Sequence, residues 1–495
     1  MALKKNPDEK SFIQQRYVLS FMGFMALAIG YIQRFCLSLA ITEMAEHAQH
    51  TTTEQTFSEG TVCKSDYSFH SNHTMHKKLE FDWDEEVQGL VLSSFFWGYV
   101  ITQLPGGMLA DNYGGKATLG LGMLCSSIGT ILTPFVARNY GPTALIVLRL
   151  IIGLAQGPLY PAMSRLLASW VPLEERGRLG SLVFAGAQVG NVVSMQFGGF
   201  LMRWTSSWAS VFYAFGVFGL FWLLFWFVLI YNHPSRHPFI SGKEKSFLSR
   251  VIQTVDPDAG KLSIPWREMF TSGPVWGLII VQIGHDWGLF TIITDLPKYM
   301  KSVLKFSVVE NGIWSGLPYI VMWLVAMISG FIVDSMARST IFSVTCIRKT
   351  FVTIAGVGPA LGIVAASYSE CDRKLAIISF TAGMGLMGTF VPSLKVNALD
   401  LSPNFAGTLM AIVGSIGCVS GVIAPYVVGL MAPNSTMEEW RNVFWLSAII
   451  LIGTNLVYLK YGSGKVQPWN EKAKIQYKST EINNENNVES ILKPL

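Results

Sequence analysis

Long apolar runs alternate with short polar segments along most of the chain. A helix of about 20 apolar residues crosses the hydrocarbon core of a bilayer, and twelve runs in this 495-residue sequence reach that length. The predicted spans are 18–44, 86–110, 117–137, 141–170, 180–203, 208–231, 274–296, 311–334, 346–369, 375–401, 405–431 and 440–461. The pattern predicts an all-α membrane protein with two six-helix bundles.

The polar segments between the spans predict the rest of the organisation. The predicted parts are a tail 1–17, an N-terminal bundle 18–231 with a long loop 45–85, a linker 232–273, a C-terminal bundle 274–461 and a disordered tail 462–495. Lys and Arg are enriched in the tails, the linker and the loops on their side, so this side is expected to be cytoplasmic. Loop 45–85 is then external.

Several local signals bear on this orientation. Glycosylation sequons begin at Asn72 and Asn434, and both fall in predicted external loops. The first 17 residues contain no apolar segment with a cleavage site, so no cleaved signal peptide is expected. The six cysteines are too scattered for a disulfide framework. Only Cys63 and Cys371 lie in predicted external loops, and whether they are bridged stays open.

The composition excludes several functional classes. Hydrophobic residues make up 51% of the chain and charged residues only 14%, whereas soluble proteins carry about 25% charged residues. The net charge of +5 lies largely in loops and tails, which membrane topology explains better than nucleic-acid binding. The sequence has no G-x-S-x-G, Walker A or H-E-x-x-H motif, so no enzyme is expected. We expect no cofactor or resident metal beyond a coupling ion, Na⁺ or H⁺, and no oligomer.

The segment 88–116, QGLVLSSFFWGYVITQLPGGMLADNYGGK, ends in Gly107-x-x-x-Asp111-x-x-Gly114-x-Lys116. The glycines allow two helices to approach closely and the backbone to reverse. Asp111 is expected to hold the start of the next helix through its positive dipole end, and Lys116 adds a cytoplasmic charge. Such a turn behind a second span resembles the signature loop of major facilitator transporters.

A weaker copy of this motif closes the eighth span. It consists of Gly330-x-x-x-Asp334 and Arg338, with Ala337 in place of the glycine. A repeat of six spans is typical of transporters whose two bundles rock around a midplane site. We therefore assign both copies to gating, together with Arg149, which starts an R-x-x-x-G-x-x-x-G pattern in span four.

Ionisable residues inside spans are costly and indicate function. They are Arg34 in span one, Arg149 in span four, His285 and Asp286 in span seven, and Lys395 in span ten. In a major facilitator fold these four spans line the cavity. The positive balance favours an anionic substrate, and Arg suits carboxylate or phosphate.

Each of these assignments has a structural alternative. Arg149 can serve helix packing, and Lys395 can extend to the cytoplasm instead of facing substrate. His285 and Asp286 point about 100° apart on a helix, so at most one faces the cavity squarely. Hydroxyl groups for the ligand can come from Tyr160 and Tyr319, with aromatic packing as the alternative.

Four segments carry a resemblance over nearly the whole chain: WDEEVQGLVLSSFFWGYVITQLPGG, WVPLEERGRL, HPFIS and KVNALDLSPNFAGTLM. They resemble the sodium/phosphate cotransporter, sialin and vesicular glutamate transporter family, and together with GHDWGLFTIITDLPKYM they are most similar to arthropod members named as inorganic phosphate cotransporters. The resemblance implies that Arg34 holds the substrate's anionic group. Asn397 and Asp400 match the family's N-x-x-D element in span ten, and we assign Asp400 to gating with the motif residues.

The chain also departs from that family. Gln156 stands where members with proton coupling carry a glutamate, Ser164 replaces a histidine, and His285 stands where glutamate carriers have an arginine. The coupling role is therefore assigned to Asp286, with Gln156 and Asn397 beside it. The differences favour the phosphate-cotransporter branch.

The sequence thus predicts a Na⁺-coupled secondary transporter of inorganic phosphate or an organic anion. Proton-coupled transport of an organic anion, such as sialic acid or an acidic amino acid, is one alternative. A non-transporting membrane sensor on the same fold is the other. Neither tail contains an acidic dileucine signal, which favours the plasma membrane over a lysosomal or vesicular membrane.

Overall fold

The computed structural model describes residues 14–44, 80–81, 83, 85–252, 264–304, 306, 308–339, 341–432 and 436–471. The helices of the first half are α1 Gln15–Met44, α2 Glu85–Tyr113, α3 Gly115–Gln156, α4 Leu159–Trp170, α5 Arg176–Thr205 and α6 Ala209–Leu229. Two short helices follow, α7 Gly242–Val251 and α8 Trp266–Thr271. The second half contains α9 Gly273–Ser302, α10 Val308–Arg338, α11 Val344–Ser367, α12 Arg373–Met387, α13 Val396–Leu401, α14 Ala406–Met431 and α15 Met437–Tyr461.

Across the described ranges these helices form twelve membrane-length segments. Helix α3 contains two spans, because the backbone at Gly141 leaves the helical region with φ 73° and ψ −169°, and the second of them continues into α4. Helix α12, a π-helix Val391–Lys395 and α13 together form the tenth span. The all-α, twelve-helix fold class predicted from the sequence is confirmed.

The surface of these helices is apolar where no other helix covers it. In α6, Trp222 and Trp226 are buried, whereas Phe221 and Leu224 are 56% and 66% exposed. Since a soluble protein rarely exposes such large apolar side chains side by side, this face suits contact with lipid.

The two halves meet through two equivalent helix pairs. Helix α2 packs against α14, and α5 packs against α10, which is the relationship expected for a six-helix repeat with a two-fold axis. Glycines bring both pairs together: a Cβ atom on Gly107 would lie 2.6 Å from the carbonyl oxygen of Gly407, and one on Gly330 would lie 3.0 Å from that of Gly177. We call the end of the bundle where α1 begins and α15 ends the tail side.

The start of the predicted disordered tail is ordered, which corrects the prediction for residues 462–471. Trp469 and Asn470 are 6% and 3% exposed, and the amide of Gln467 donates to the carbonyl oxygen of Leu401 at 2.9 Å. A polar composition indicated disorder, but a single tryptophan with hydrogen-bonding neighbours is enough to anchor this stretch.

Some predicted features lie outside the described residues or at their edge. Asn72, Asn434 and Cys63 are among the residues that are not described. Cys371 is disulfide-bonded, whereas Cys36, Cys125, Cys346 and Cys418 are free thiols.

Candidate functional site

Arg34 lies in a cage of aromatic rings. Its guanidinium carbon is 4.5 Å from the ring centre of Tyr31, 4.7 Å from that of Phe95 and 4.4 Å from that of Tyr99. The residue is 6% exposed, and its Nε and Nη2 atoms have no hydrogen-bond acceptor among the described residues. The rings stabilise the cation, and the two unpaired N–H groups leave positions for acceptor oxygens of a ligand.

A second arginine lies directly against the first. Arg149 on α3 is 3% exposed and donates from Nη2 to the backbone carbonyl oxygen of Arg34 at 3.1 Å. Its guanidinium carbon is 5.1 Å from the ring centre of Phe95. Among the described residues, no ion pair or hydrogen bond joins Arg34 or Arg149 to a carboxylate. A buried cation without a counter-ion is strongly unfavourable, so this pair makes the site attractive for an anion.

Two tyrosines link Arg34 to the second half of the molecule. The hydroxyl of Tyr160 donates to that of Tyr31 at 3.0 Å. Nζ of Lys395 is 5.5 Å from the ring centre of Tyr160 and 5.6 Å from that of Phe390. Lys395 ends the π-helix of the tenth span, a local geometry that occurs frequently at functional sites. The predicted residues Arg34, Tyr160 and Lys395 are therefore brought together across the two halves.

His285 and Asp286 face different neighbours, as their helical spacing predicts. The His285 ring stacks face to face on Phe390, next to Lys395, and its Nδ1 atom has no partner among the described residues. The carboxylate of Asp286 accepts from Nε2 of Gln282 at 2.7 Å and lies against Gly417 of α14. His285 and Asp286 both lie within electrostatic reach of Lys395, and Asp286 also lies at the contact of α9 with α14.

Three other predicted residues lie elsewhere. The side chain of Gln156 donates to Oγ of Ser126 at 2.7 Å inside the first half. Asn397 accepts from Tyr458 at 2.9 Å and donates to the carbonyl oxygen of Ser463 at 2.8 Å, so it joins α13 to the end of α15. Tyr319 packs on a hydrophobic cluster of the second half. The structure does not place these three against Arg34.

Asp111 has a different partner from the one expected. Its carboxylate accepts from the backbone amides of Gly407 at 3.1 Å and Thr408 at 2.6 Å, which begin α14 in the other half. The start of the next helix, α3, is held instead by Asn232, whose Oδ1 accepts from the amide of Lys116 at 2.9 Å. The expectation that Asp111 holds the start of α3 is wrong, because the close α2–α14 contact brings a second helix N-terminus nearer.

The turn after Asp111 has its own anchors. Gly114 has φ 91°, a conformation that glycine adopts without strain. Nζ of Lys116 donates to the carbonyl oxygen of Phe227 at 2.8 Å and lies 4.3 Å from the ring centre of Tyr231. Lys116 therefore fastens α3 to the end of α6.

The second motif copy makes the equivalent contact. The carboxylate of Asp334 on α10 accepts from the backbone amide of Arg178 at 2.8 Å, in the first turn of α5. Nε of Arg338 donates to the carbonyl oxygen of Asp334 at 3.3 Å. Asp111 and Asp334 therefore each bind the N-terminus of a helix in the opposite half, where negative charge is favoured.

Buried arginines add further contacts between the two halves on the tail side. Asp400 pairs with Arg176 of the first half at 3.2 Å and with Arg348 of its own half at 2.8 Å. Arg165 donates from Nη1 to the carbonyl oxygen of Pro403 at 2.9 Å and lies 3.8 Å from Asp111. The sequence analysis did not predict these contacts of the three arginines. Arg176 and Arg348 counted only as cytoplasmic charges in the sequence, although Arg176 lies in the WVPLEERGRL segment.

Comparisons with known proteins agree with this architecture. A family model described as Major Facilitator Superfamily matches residues 23–425. A protein of Drosophila ananassae named "Putative inorganic phosphate cotransporter" is 37% identical over 462 residues, which cover 92% of this chain and 94% of that protein. Sialin of Homo sapiens is 35% identical, with 92% and 90% covered, and vesicular glutamate transporter 1 of Bos taurus is 33% identical, with 93% and 79% covered.

Solved structures show the same fold. The proton:xylose symporter XylE bound to 6-bromo-6-deoxy-D-glucose superposes with a TM-score of 0.69 at 14% identity, and the match covers 93% of this chain and 99% of the other. At this identity the similarity concerns the fold alone.

Proposed function

The chain belongs to the major facilitator superfamily, within the sodium/phosphate cotransporter, sialin and vesicular glutamate transporter family, and on this premise we propose that it carries a small anion by secondary active transport. The substrate is inorganic phosphate or an organic anion that presents carboxylate or phosphate oxygens. The two halves move relative to each other and expose the central site alternately to the two sides of the membrane.

One observation supports this proposal most directly: Arg34 and Arg149 are buried next to each other, and among the described residues neither forms an ion pair or hydrogen bond with a carboxylate. The unpaired Nε and Nη2 of Arg34 match two oxygens of a carboxylate or phosphate group. Lys395 of the other half lies over the ring of Tyr160. An anion bound between Arg34 and Lys395 therefore attracts both halves at once. This is how a substrate can favour closure around itself.

Na⁺ is the proposed coupling ion, and Asp286 is its proposed ligand. Asp286 lies near the middle of α9 and is 8% exposed, so its carboxylate can attract a cation inside the membrane. Gln156 carries an amide that cannot release a proton, and it is held by Ser126. The names of two relatives at 37% identity also contain phosphate cotransport.

Proton coupling is the second candidate, and it is favoured by one specific feature. His285 and Asp286 are adjacent titratable groups at mid-helix, and Nδ1 of His285 has no partner within the described residues. A proton that binds there would be carried with an organic anion such as sialic acid or an acidic amino acid.

In this proposal the tail side faces the cytoplasm, so the contacts of Asp111, Asp334 and Asp400 close the cytoplasmic entrance. The protein acts as a monomer in the plasma membrane. Surface biotinylation of the expressed protein tests the location, and a stable intracellular pool without surface protein would move it to a vesicular or lysosomal membrane.

Reconstitution into liposomes tests the activity and its coupling. Uptake of labelled phosphate, sialate, glutamate and succinate is measured under a Na⁺ gradient, with choline in place of Na⁺, and under a pH jump without Na⁺. Anion uptake that requires Na⁺ supports the proposal, whereas full uptake in choline driven by external acid supports the proton-coupled alternative. Thermal stabilisation by an anion without any flux would identify a sensor instead.

A further inference from the structure

The described part of the chain after α15 lies on one particular turn of the gate. Residues 463–470 cross the tail side of the second half and end at turn 402–405, which connects α13 to α14. Oδ1 of Asn470 accepts from Oγ of Ser402 at 2.9 Å and from the backbone amide of Asn404 at 3.0 Å. The side chain of Asn404 in turn donates to the carbonyl oxygen of Asn470 at 3.1 Å.

The contact of Asn470 with this turn is buried, and a pair of aromatic rings packs beside it. Asn470 is 3% exposed, Ser402 and Asn404 are 0% exposed, and Trp469 packs beside Phe405. Buried polar groups keep their hydrogen-bond partners because the loss of one leaves the other unsatisfied. Asn470 therefore fixes the conformation of turn 402–405.

The same turn provides the second half's share of the gate. The carbonyl oxygen of Pro403 accepts from Arg165 of the first half. The amides of Gly407 and Thr408, which follow the turn directly, bind Asp111. These contacts require a defined geometry of the turn only while the halves are together at the tail side. When the halves separate, these contacts are broken, so a change in the conformation of the turn no longer affects their free energy.

We propose that Asn470 is a positioning residue for the tail-side gate: it holds turn 402–405 in the geometry that binds Arg165 and Asp111, and so stabilises the tail-closed state over the tail-open state. An interaction shifts an equilibrium only by the difference of its free energy between the two states. Here that difference arises because the turn is bound by the first half in one state alone. The inference rests on the alternating access of the proposed function.

Labelling of a buried cysteine tests this without any substrate. Ser181 is 0% exposed and lies beside Gly330 where α5 meets α10, so S181C reports opening of the tail side. The background carries C125S and C346S, which remove the exposed thiols, and the same protein without S181C gives the residual rate. The reaction with N-ethylmaleimide is followed in detergent on the purified full chain.

Asn470→Ala is expected to raise the labelling rate of S181C about fivefold or more, as the loss of two hydrogen bonds implies. Gln467→Ala is the matched control, because Gln467 lies in the same segment. Among the described residues its side chain bonds to Ser272 and Lys465 and not to turn 402–405. Equal rates in both variants would overturn the proposal. If Asn470→Ala does not fold, Ser402→Ala removes the same hydrogen bond from the gate and must give the same direction. A failure of the transport proposal appears in the flux assay, whereas a failure of this one appears in the labelling.

Discussion

The carboxylate of Asp111 accepts a hydrogen bond from the backbone amide of Thr408 at 2.6 Å, across 297 positions of the chain. Asp334 repeats this contact with the amide of Arg178. In both cases an aspartate at the end of one helix binds the positive N-terminus of a helix in the other half. The two contacts follow the repeat, and in the proposed transport cycle both break when the tail side opens.

Asp111→Asn is expected to favour the tail-open state, because it removes the charge that the α14 N-terminus attracts. The labelling rate of S181C should rise severalfold, and Asp334→Asn should act in the same direction. Asp372→Asn is the control: Asp372 accepts from the amides of Lys374 and Leu375 at the start of its own helix. That variant should lower thermal stability but leave labelling unchanged. An equal rise in Asp372→Asn would contradict the gate assignment.

Arg34→Ala is expected to abolish anion uptake, since the loss of two charge-assisted hydrogen bonds lowers affinity by about 100-fold or more. Arg34→Lys keeps the charge but not the paired N–H groups, so it should retain a small part of the activity. Initial rates are measured in proteoliposomes at matched protein density. Arg138→Ala removes a 42%-exposed arginine side chain and serves as the control. Unchanged uptake in Arg34→Ala would show that Arg34 does not bind the substrate.

Asp286→Asn is expected to remove the stimulation of uptake by Na⁺ and to leave a low rate that is the same in Na⁺ and choline. The variant keeps an oxygen that can accept from Gln282, so the local fold should persist. The measurement is the initial rate as a function of Na⁺ concentration. An unaltered Na⁺ curve would exclude Asp286 as the ion's ligand and direct attention to other polar groups of α9.

The charged residues lie inside membrane-spanning helices, as the sequence predicted, but the neighbours that surround them in space could not be predicted from it. The apolar runs were long enough to indicate every span, and the mid-span position of Arg34 indicated a site. Its aromatic cage depends on the rotation of α1 against α2, which brings Phe95 and Tyr99 to it. That rotation is set by packing among all helices, and it has no local signature in the sequence.

The same limit explains why Asn397 and Asp111 have unexpected partners. Asn397 is bound by Tyr458 of α15 and by the backbone of Ser463, and Ser463 belongs to a stretch whose polar composition indicated disorder. Asp111 stands next to a helix start in sequence, yet a helix start 296 positions away is closer in space. The partner of Asp111 in the other half follows from the two-fold repeat, to which the glycine motifs and the six-plus-six pattern of spans pointed.

Glu80 forms a clasp on the side opposite to the tails. It accepts from Nε of Arg138 at 2.7 Å and from Nε1 of Trp208 at 2.6 Å, and the hydrogen bond from Arg138 lowers the pKa of the Glu80 carboxyl below its ordinary value. A carboxylate with a lowered pKa stabilises the fold above its unfolded-state pKa, and this contribution is lost as the pH falls through the folded-state value.

Glu80→Gln should therefore lower the melting temperature slightly at pH 7 and less at about pH 4, where the contribution of the carboxylate has begun to be lost. Because the pair is partly exposed, the effect at pH 7 should be below about 1 kcal/mol. Scanning fluorimetry of both proteins between these pH values gives the comparison. If the difference in melting temperature between the two proteins grew as the pH fell, the Glu80 carboxylate would not stabilise the fold in the way proposed.

Arg176 and Arg348 bind the same carboxylate of Asp400 but from different halves, so their substitution should have separable effects. Arg176→Gln removes the bond that crosses between the halves and should raise S181C labelling severalfold, and it should also lower stability because it too breaks a buried pair. Arg348→Gln removes a bond within the second half and leaves Asp400 with Arg176. It should lower stability by a few kcal/mol, on the order of 3, because a buried pair is broken, and it should change labelling less. Both quantities are measured on the same purified variants. If Arg348→Gln opened the tail side more than Arg176→Gln, the crossing ion pair would not be what holds the gate closed.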